Sequence, residues 1–393
     1  MADRGRIDAQ LAFLTEADLL KSVDRANFLT CGTRLENSAE HSWHLALWAL
    51  VFGADAPAGV DVTRAILMLL LHDLVEIDAG DHPINIAFDP AEVAAKERAA
   101  ADRLFGLLPA DQGAALRGAW DEFEAAQTPT AQFAKALDLS QPIFQIIHGV
   151  NAPADHPQIA RDNLATGRAA ILRDRWPEMH AHASGLLSGA GSPLPDDHPL
   201  PARLRFLIEA DRLKTVIRAT RNYRGGRREN SGEHSWHVAL FAHVLAEHAA
   251  HPVDPGRAVA MMLIHDLVEI DTGDVPIHSA NGNAHGGAVV MAAEQAAADR
   301  IFGLLPDAQG AALRALWDEF EAAETPDAIF AKAIDRVQPV IANLETGGGT
   351  WPEYNVTPAQ LQSRVGVKVD RGAPAIWAAL RDRIDAWFSM AAE

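Results

Sequence analysis

Arg34 to Leu47 reads RLENSAEHSWHLAL, and Arg227 to Leu240 reads RRENSGEHSWHVAL. A phrase written twice at a fixed offset marks a duplicated structural unit, and it decides how the rest of the chain is read. Upstream, FLTEADLLK (Phe13 to Lys21) recurs as FLIEADRLK (Phe206 to Lys214). Downstream, LLHDLVEIDAGDHPI, ending at Ile84, recurs as LIHDLVEIDTGDVPI, ending at Ile277. These segments share an offset of 193 residues, as from His41 to His234, whereas FGLLP and WDEFEAA recur at 197, as from Phe105 to Phe302. Copy two therefore gains four residues, expected in the Asn- and Gly-rich loop around His278 to Gly287. LLSGAGSPLPDDHPLPA (Leu186 to Ala202) has the composition of a linker or exposed turn. It puts the boundary near Leu194, with copy one as residues 1–193 and copy two as 194–393.

Within each copy the periodicity is helical. Leu45, Leu47, Trp48 and Val51 follow His41 at helical spacing. Asn37 and Glu40 read as a capping box opening that helix. Ala65 to Ile77 is apolar on nearly all sides, as in a helix at the centre of a bundle, and Gly80 offers a stop. Ala91 to Leu107 and Ala114 to Ala126 read as amphipathic helices separated by Pro109. No convincing two-residue alternation is present, so the fold class expected is all-α: two tandem helical bundles from an internal duplication.

The length of 393 residues exceeds what one hydrophobic core usually serves, and 48% hydrophobic residues is ordinary for a globular chain. The most apolar run, Ala65 to Leu71, ends at His72-Asp73, far short of a membrane span. MADRGRIDAQ at the N-terminus lacks the apolar centre of a signal peptide. Cys31 is the only cysteine, which excludes intramolecular disulfides and thiolate zinc clusters. A cytoplasmic protein with no membrane partner is expected. The net charge of −19 argues against nucleic acid as a partner, since backbone binding needs a basic stripe. A small phosphate ester is compatible, because one cation and one or two arginines hold it locally.

The chemistry-bearing pattern is His41, then His72-Asp73, then Asp138, repeated as His234, His265-Asp266 and Asp335. Two imidazoles with two carboxylates form a mixed nitrogen and oxygen set suited to Mn, Co, Fe, Ni or Zn. A His-Asp pair inside the apolar run LLLHDLVEI would cost several kcal/mol to bury without partners, and a cation supplies one for both.

EHSWH, HDLVEIDAGD and FAKALD resemble the HD superfamily of metal-dependent phosphohydrolases, and within it the 5′-deoxynucleotidases, whose pattern is H…HD…D around one metal. The resemblance spans nearly all of each copy. It implies a helical fold, one divalent ion per copy (Mn, Co, Fe, Ni, Zn or Mg), and hydrolysis of (deoxy)nucleoside 5′-monophosphates by metal-activated water. The ligands it implies are His41, His72, Asp73 and Asp138, and His234, His265, Asp266 and Asp335.

Glu76 lies one helical turn beyond His72 and Asp81 follows Gly80; Glu269 and Asp274 repeat both positions. These four are the candidate proton-handling groups. Arg34 and Arg227, with Arg25 and Arg218, are the candidates for phosphate, because guanidinium forks match its oxygens. His44 and His237 read as helix-packing or solvent residues rather than groups backing the metal ligands, and Lys135 and Lys332 as solvated charge. Dinuclear HD enzymes need further histidines before the last aspartate. Copy one offers only His82 there, and copy two has His278 and His285 in its inserted loop, so a mononuclear site is expected. After that aspartate the copies diverge: Leu139 stands where copy two has Arg336, and copy one lacks the Gly347-Gly348-Gly349 turn. The alternatives are a nucleoside triphosphate hydrolase, or one copy serving as a non-catalytic nucleotide-sensing or dimerisation module. The two copies are expected to pack as a pseudo-dimer.

Overall fold

The computed structural model describes residues 4–82, 89–150, 153–224, 226–279 and 287–391. Copy one opens with α1 (Arg4–Ala17), a tight 3₁₀ turn, and the hairpin β1 (Asp24–Phe28) and β2 (Leu35–Asn37). Then come α2 (Ser38–Phe52), α3 (Val62–Leu71), the one-turn α4 (Glu76–Ala79), α5 (Pro90–Phe105), α6 (Ala110–Ala125) and α7 (Pro129–His148). It closes with α8 (His156–Ala165), α9 (Leu172–Arg175) and α10 (Pro177–Ser188). Copy two repeats the order as α11 (Pro199–Ala210), β3 (Ile217–Arg221), β4 (Arg228–Asn230), α12 (Ser231–Leu245), α13 (Pro255–Ile264) and α14 (Glu269–Thr272). It continues through α15 (Ala288–Phe302), α16 (Asp307–Ala322) and α17 (Pro326–Glu345). Its tail differs: α18 (Thr350–Glu353), α19 (Pro358–Leu361), α20 (Val367–Gly372) and α21 (Pro374–Ala391). No helix among the described residues is long and apolar enough to cross a membrane.

Among the described residues the regular structure is helical except for two short antiparallel hairpins that the sequence reading did not anticipate. Asp24 pairs with Asn37 and Phe28 with Leu35, and copy two repeats this register. Strands this short show too little alternation to separate from loop. The capping box is present: Asn37 accepts from the Glu40 amide while Glu40 accepts from the Asn37 amide.

The expected helix over Ala65 to Ile77 is broken at the residues that matter. α3 stops at Leu71, and the chain passes through a tight turn before α4, with the Glu76 amide bonded to the Asp73 carbonyl at 2.9 Å. The His72 ring bonds the Leu69 carbonyl at 2.8 Å, the acceptor a continuing helix would offer to Asp73. Gly80, at φ +76°, caps α4 rather than the longer helix. Residues 280–286, which hold most of the expected insertion and His285, lie outside the described residues.

Leu194 falls in the connection between α10 and α11, but the buried side chains of the two copies form one continuous apolar core. α2 packs against α12 at its centre. Trp236 Nε1 donates to the Leu70 carbonyl at 3.1 Å, and Trp43 does the same to copy two. The opening helices are exchanged: α1 lies on α12 and α11 lies on α2. His237 Nε2 bonds the Leu14 carbonyl at 2.8 Å, and His44 Nε2 bonds the Leu207 carbonyl at 2.9 Å.

Candidate metal centre

Three elements bring the four expected ligands together in each copy. His41 projects from the first turn of α2, His72 and Asp73 sit at the break after α3, and Asp138 comes from α7. His41 Nε2 lies 3.3 Å from Asp138 Oδ1, and His72 Nε2 lies 3.0 Å from Asp73 Oδ1 and 4.0 Å from Asp138 Oδ1. In copy two, His234 Nε2 is 3.1 Å from Asp335 Oδ1, and His265 Nε2 is 3.1 Å from Asp266 and 3.8 Å from Asp335. His41, His72 and Asp138, and His234, His265 and Asp266, are groups whose ligand atoms converge closely enough to hold one ion.

The tautomers favour this use. The His72 and His265 Nδ1 atoms face the carbonyls of Leu69 and Met262, so the proton sits there and Nε2 presents a lone pair inward. Both Nε2 atoms are buried without a hydrogen-bond partner. A divalent cation bound by imidazole and carboxylate supplies the missing partner, so these residues fit such an ion. The indoles of Trp120 and Trp317 hold the His72 and His265 carbonyls at 3.2 and 3.0 Å, fixing the turn that carries the ligands.

Arg25 on β1 donates to Asp73 at 2.8 Å, and Arg218 on β3 does the same to Asp266. Arg218 also lies 3.8 Å from Glu269 and 3.7 Å from Asp274. Ser38 and Ser231 donate to Glu76 and Glu269 at 2.5 Å. Burial, and then the adjacent Asp73 or Asp266, push the Glu76 and Glu269 carboxyls well above the usual range. Burial raises Asp81 and Asp274 in the same direction, while Arg25 and Arg218 oppose it.

Arg34 and Arg227 lie apart from the metal-site cavities and line neither. Arg34 grips Glu40 with both terminal nitrogens and donates to the Lys214 carbonyl at 2.8 Å; Arg227 does likewise with Glu233 and the Lys21 carbonyl. Each holds a glutamate of its own copy and reaches the other copy through one carbonyl. Of the two roles expected for His44 and His237, packing is the one found: they are 1% and 0% exposed within the contact between copies. Lys135 and Lys332 belong to the cavity walls, each over an aromatic ring (3.7 Å from Phe123, 3.8 Å from Phe320) and paired with Glu124 or Glu321.

The sequence reading missed Glu36, Glu229, Lys21 and Lys214. All four are fully buried charges, and the two lysines end the repeated phrases FLTEADLLK and FLIEADRLK. The signal available was an identical charged residue at the same place in both copies of a repeated phrase. Glu36, His44 and Asp211 also converge, but the Lys214 ammonium already occupies their centre.

Each metal centre opens into a cavity, of about 390 Å³ in copy one and about 480 Å³ in copy two. Asp73, Glu76, Asp81, Glu97, Glu124 and Asp138 line the first, and their six counterparts line the second. Beyond these shared groups the walls differ. Copy two adds Arg336, Asn343, Lys368 and Arg371 with Trp351 and Tyr354, where copy one has Leu139, Ile146 and Arg168. The Gly347 to Gly349 turn brings Trp351 back over the cavity, with φ of +66°, +106° and +48°. Only glycine takes such angles in succession without strain, and a Cβ on Gly348 would meet the Trp387 ring.

The HD-domain family model matches residues 17–180 and again 210–377. A 5′-deoxynucleotidase of Homo sapiens is 29% identical over 136 residues, 34% of this chain and 65% of that protein, so the chain spans just under two thirds of its length. A 5′-deoxynucleotidase of Erwinia tasmaniensis is 33% identical over 33% of this chain and 66% of that protein. A crystal structure titled as a predicted metal-dependent phosphohydrolase, from Magnetospirillum magnetotacticum MS-1, is 44% identical, covering 48% of this chain and 92% of that one, with a TM-score of 0.45. With the family model matched in both copies and a metal-ligand cluster in each match, the chain belongs to the HD-domain family and carries the clusters typical of its metal-dependent phosphohydrolases.

Proposed function

We propose that the protein is a divalent-metal-dependent phosphomonoesterase acting on (deoxy)nucleoside 5′-monophosphates, with one ion per copy and copy two as the principal site. The observation that carries the reading is His265 Nε2, buried without a partner and 3.1 Å from Asp266, at the end of a cavity of about 480 Å³. The relatives named as 5′-deoxynucleotidases support the substrate class.

His41, His72, Asp73 and Asp138, with His234, His265, Asp266 and Asp335, are the residues that would hold the ions. A divalent cation bound there supplies Lewis-acid stabilisation to a phosphate ester and its attacking water. Arg25 and Arg218, rather than Arg34 and Arg227, face the phosphate. Each already orients an aspartate of the set and lines the cavity. Glu76 and Glu269, held by Ser38 and Ser231, carry the proton between water and the leaving alkoxide, and Asp81 and Asp274 orient the sugar or share that proton. Arg336 and the Trp351 wall favour copy two, because an arginine and an aromatic face suit a nucleotide better than Leu139 does. The two copies act as an intramolecular pseudo-dimer in the cytoplasm.

The test is a panel of nucleoside mono- and triphosphates, with several divalent metals, on the purified chain. Orthophosphate released from 5′-monophosphates is expected. Triphosphate release from nucleoside triphosphates, or no turnover with any metal, overturns the proposal.

A further inference from the structure

Lys214 belongs to copy two by sequence, yet its ammonium lies inside copy one. It donates to Glu36 Oε1 at 2.6 Å, to Asp211, and to His44 Nδ1 at 3.1 Å. The other Glu36 oxygen lies 3.5 Å from His41 Nδ1 and 3.7 Å from Arg25 Nε. The arrangement is reciprocal. Lys21 of copy one donates to Glu229 Oε2 at 2.9 Å, and Glu229 Oε1 lies 3.6 Å from His234 Nδ1 and 3.5 Å from Arg218 Nε. All four side chains are fully buried.

We propose that each metal centre is positioned by a lysine from the opposite copy: Lys214 acting through Glu36 on His41, and Lys21 acting through Glu229 on His234. The proposal rests on the metal reading above. The partner of the far ring nitrogen sets which tautomer a ligating imidazole adopts and how basic it is. A carboxylate facing Nδ1 keeps the proton there and leaves Nε2 free for the ion. A fully buried carboxylate stays ionised only if its charge is matched within hydrogen-bonding distance. For Glu36 the closest such match is Lys214, which copy one does not contain. The lysine thus holds one Glu36 oxygen and leaves the other turned toward His41 and Arg25.

The copies differ in one detail. In copy two the Gln338 amide is interposed, with Oε1 at 3.1 Å from His234 Nδ1 and Nε2 donating to Glu229 at 3.1 Å. In copy one the equivalent Gln141 has turned to His44 instead. The His41 centre therefore depends on its borrowed lysine more heavily than the His234 centre does.

The test reads each centre alone in the full chain. Asp266→Ala leaves the His41 centre as the binding site, and Asp73→Ala leaves the His234 centre. Co²⁺ affinity is measured by chelator competition, with the cobalt absorption spectrum reporting the ligand geometry. Lys214→Met, which keeps the length and removes the charge, is expected to weaken Co²⁺ at the His41 centre by about 10- to 100-fold, the usual cost of losing a group that backs a ligand. It should change the His234 centre by less than about twofold. Lys21→Met should show the opposite pattern, with a smaller loss. Because an unpaired buried glutamate can itself unfold a protein, Lys214→Met combined with Glu36→Gln is made in parallel. That pair removes both charges together and is expected to show the same crossed loss. Equal weakening at both centres, or loss confined to the copy that carries the substitution, overturns the proposal. Absence of Co²⁺ binding by the unsubstituted chain overturns the metal reading, and this inference with it.

Discussion

Trp43 Nε1 donates a 3.1 Å hydrogen bond to the carbonyl oxygen of Leu263, two residues before His265. A side chain of copy one thus holds the segment that delivers a candidate ligand of copy two. With the exchanged opening helices and one shared core, this makes the copies mutually dependent. Residues 1–193 and 194–393, expressed separately, are expected to aggregate or self-associate, and to yield a soluble 1:1 complex when co-expressed. Size-exclusion chromatography and circular dichroism check this. A folded, monomeric half would contradict it.

Elemental analysis of protein purified without chelator should give two divalent metal ions per chain, one for each His/Asp set. Among the described residues, neither set has a further histidine among the ligands that converge on it. A ratio near four would mean dinuclear centres.

Glu269→Ala should leave metal bound and lower turnover by about 10²-fold or more, as removal of a positioned acid or base does. Ser231 holds this carboxyl beside the ligand set rather than within it. Loss of metal together with activity would make Glu269 a ligand.

Asp266→Ala should abolish most turnover and Asp73→Ala should spare most of it. The ligands are the same in both copies, so the difference comes from the wall. Arg336→Leu, which copies position 139 into copy two, should raise KM more than it lowers kcat, since Arg336 lines the cavity wall and meets the set through Asp335, 3.6 Å away. Steady-state kinetics on the three variants check this, and greater loss from Asp73→Ala would place the working pocket in copy one.

Burial, then the adjacent Lys214 charge, pushes the His44 pKa from 6.5 down to about 3, and His237 is lowered by burial and then by Lys21. Such an imidazole stays neutral in the folded chain while the unfolded chain takes up a proton. Its contribution to stability is complete above pH 6.5 and is lost as pH falls toward 3. His44 should add a slope of about 1.4 kcal/mol per pH unit across that window. Urea unfolding of the His44→Gln variant at several acidic pH values should show a slope shallower by about that amount.

Much of this protein was legible in its residues before any coordinates. The duplication, the Asn37–Glu40 cap, the helical bundles and the eight candidate ligands are written in local phrases, because periodicity, capping and repeat spacing depend on near neighbours in the chain. The break after Leu71 was not legible, since it turns on a ring nitrogen taking the Leu69 carbonyl inside a run that is apolar on all sides. Nor were the hairpins, which are too short to alternate yet set Arg25 and Glu36 beside the ligands. The largest gap concerns charges that act across the copies. Arg34 looked like a phosphate fork and became a clasp on Glu40, while Lys214 ended a repeated phrase with no visible task. Lys214 and Glu36 stand 178 residues apart, and only the packing of α2 on α12 brings them within 2.6 Å. Charges need partners once water is excluded, and which partner each one meets is decided when the two copies close on one another.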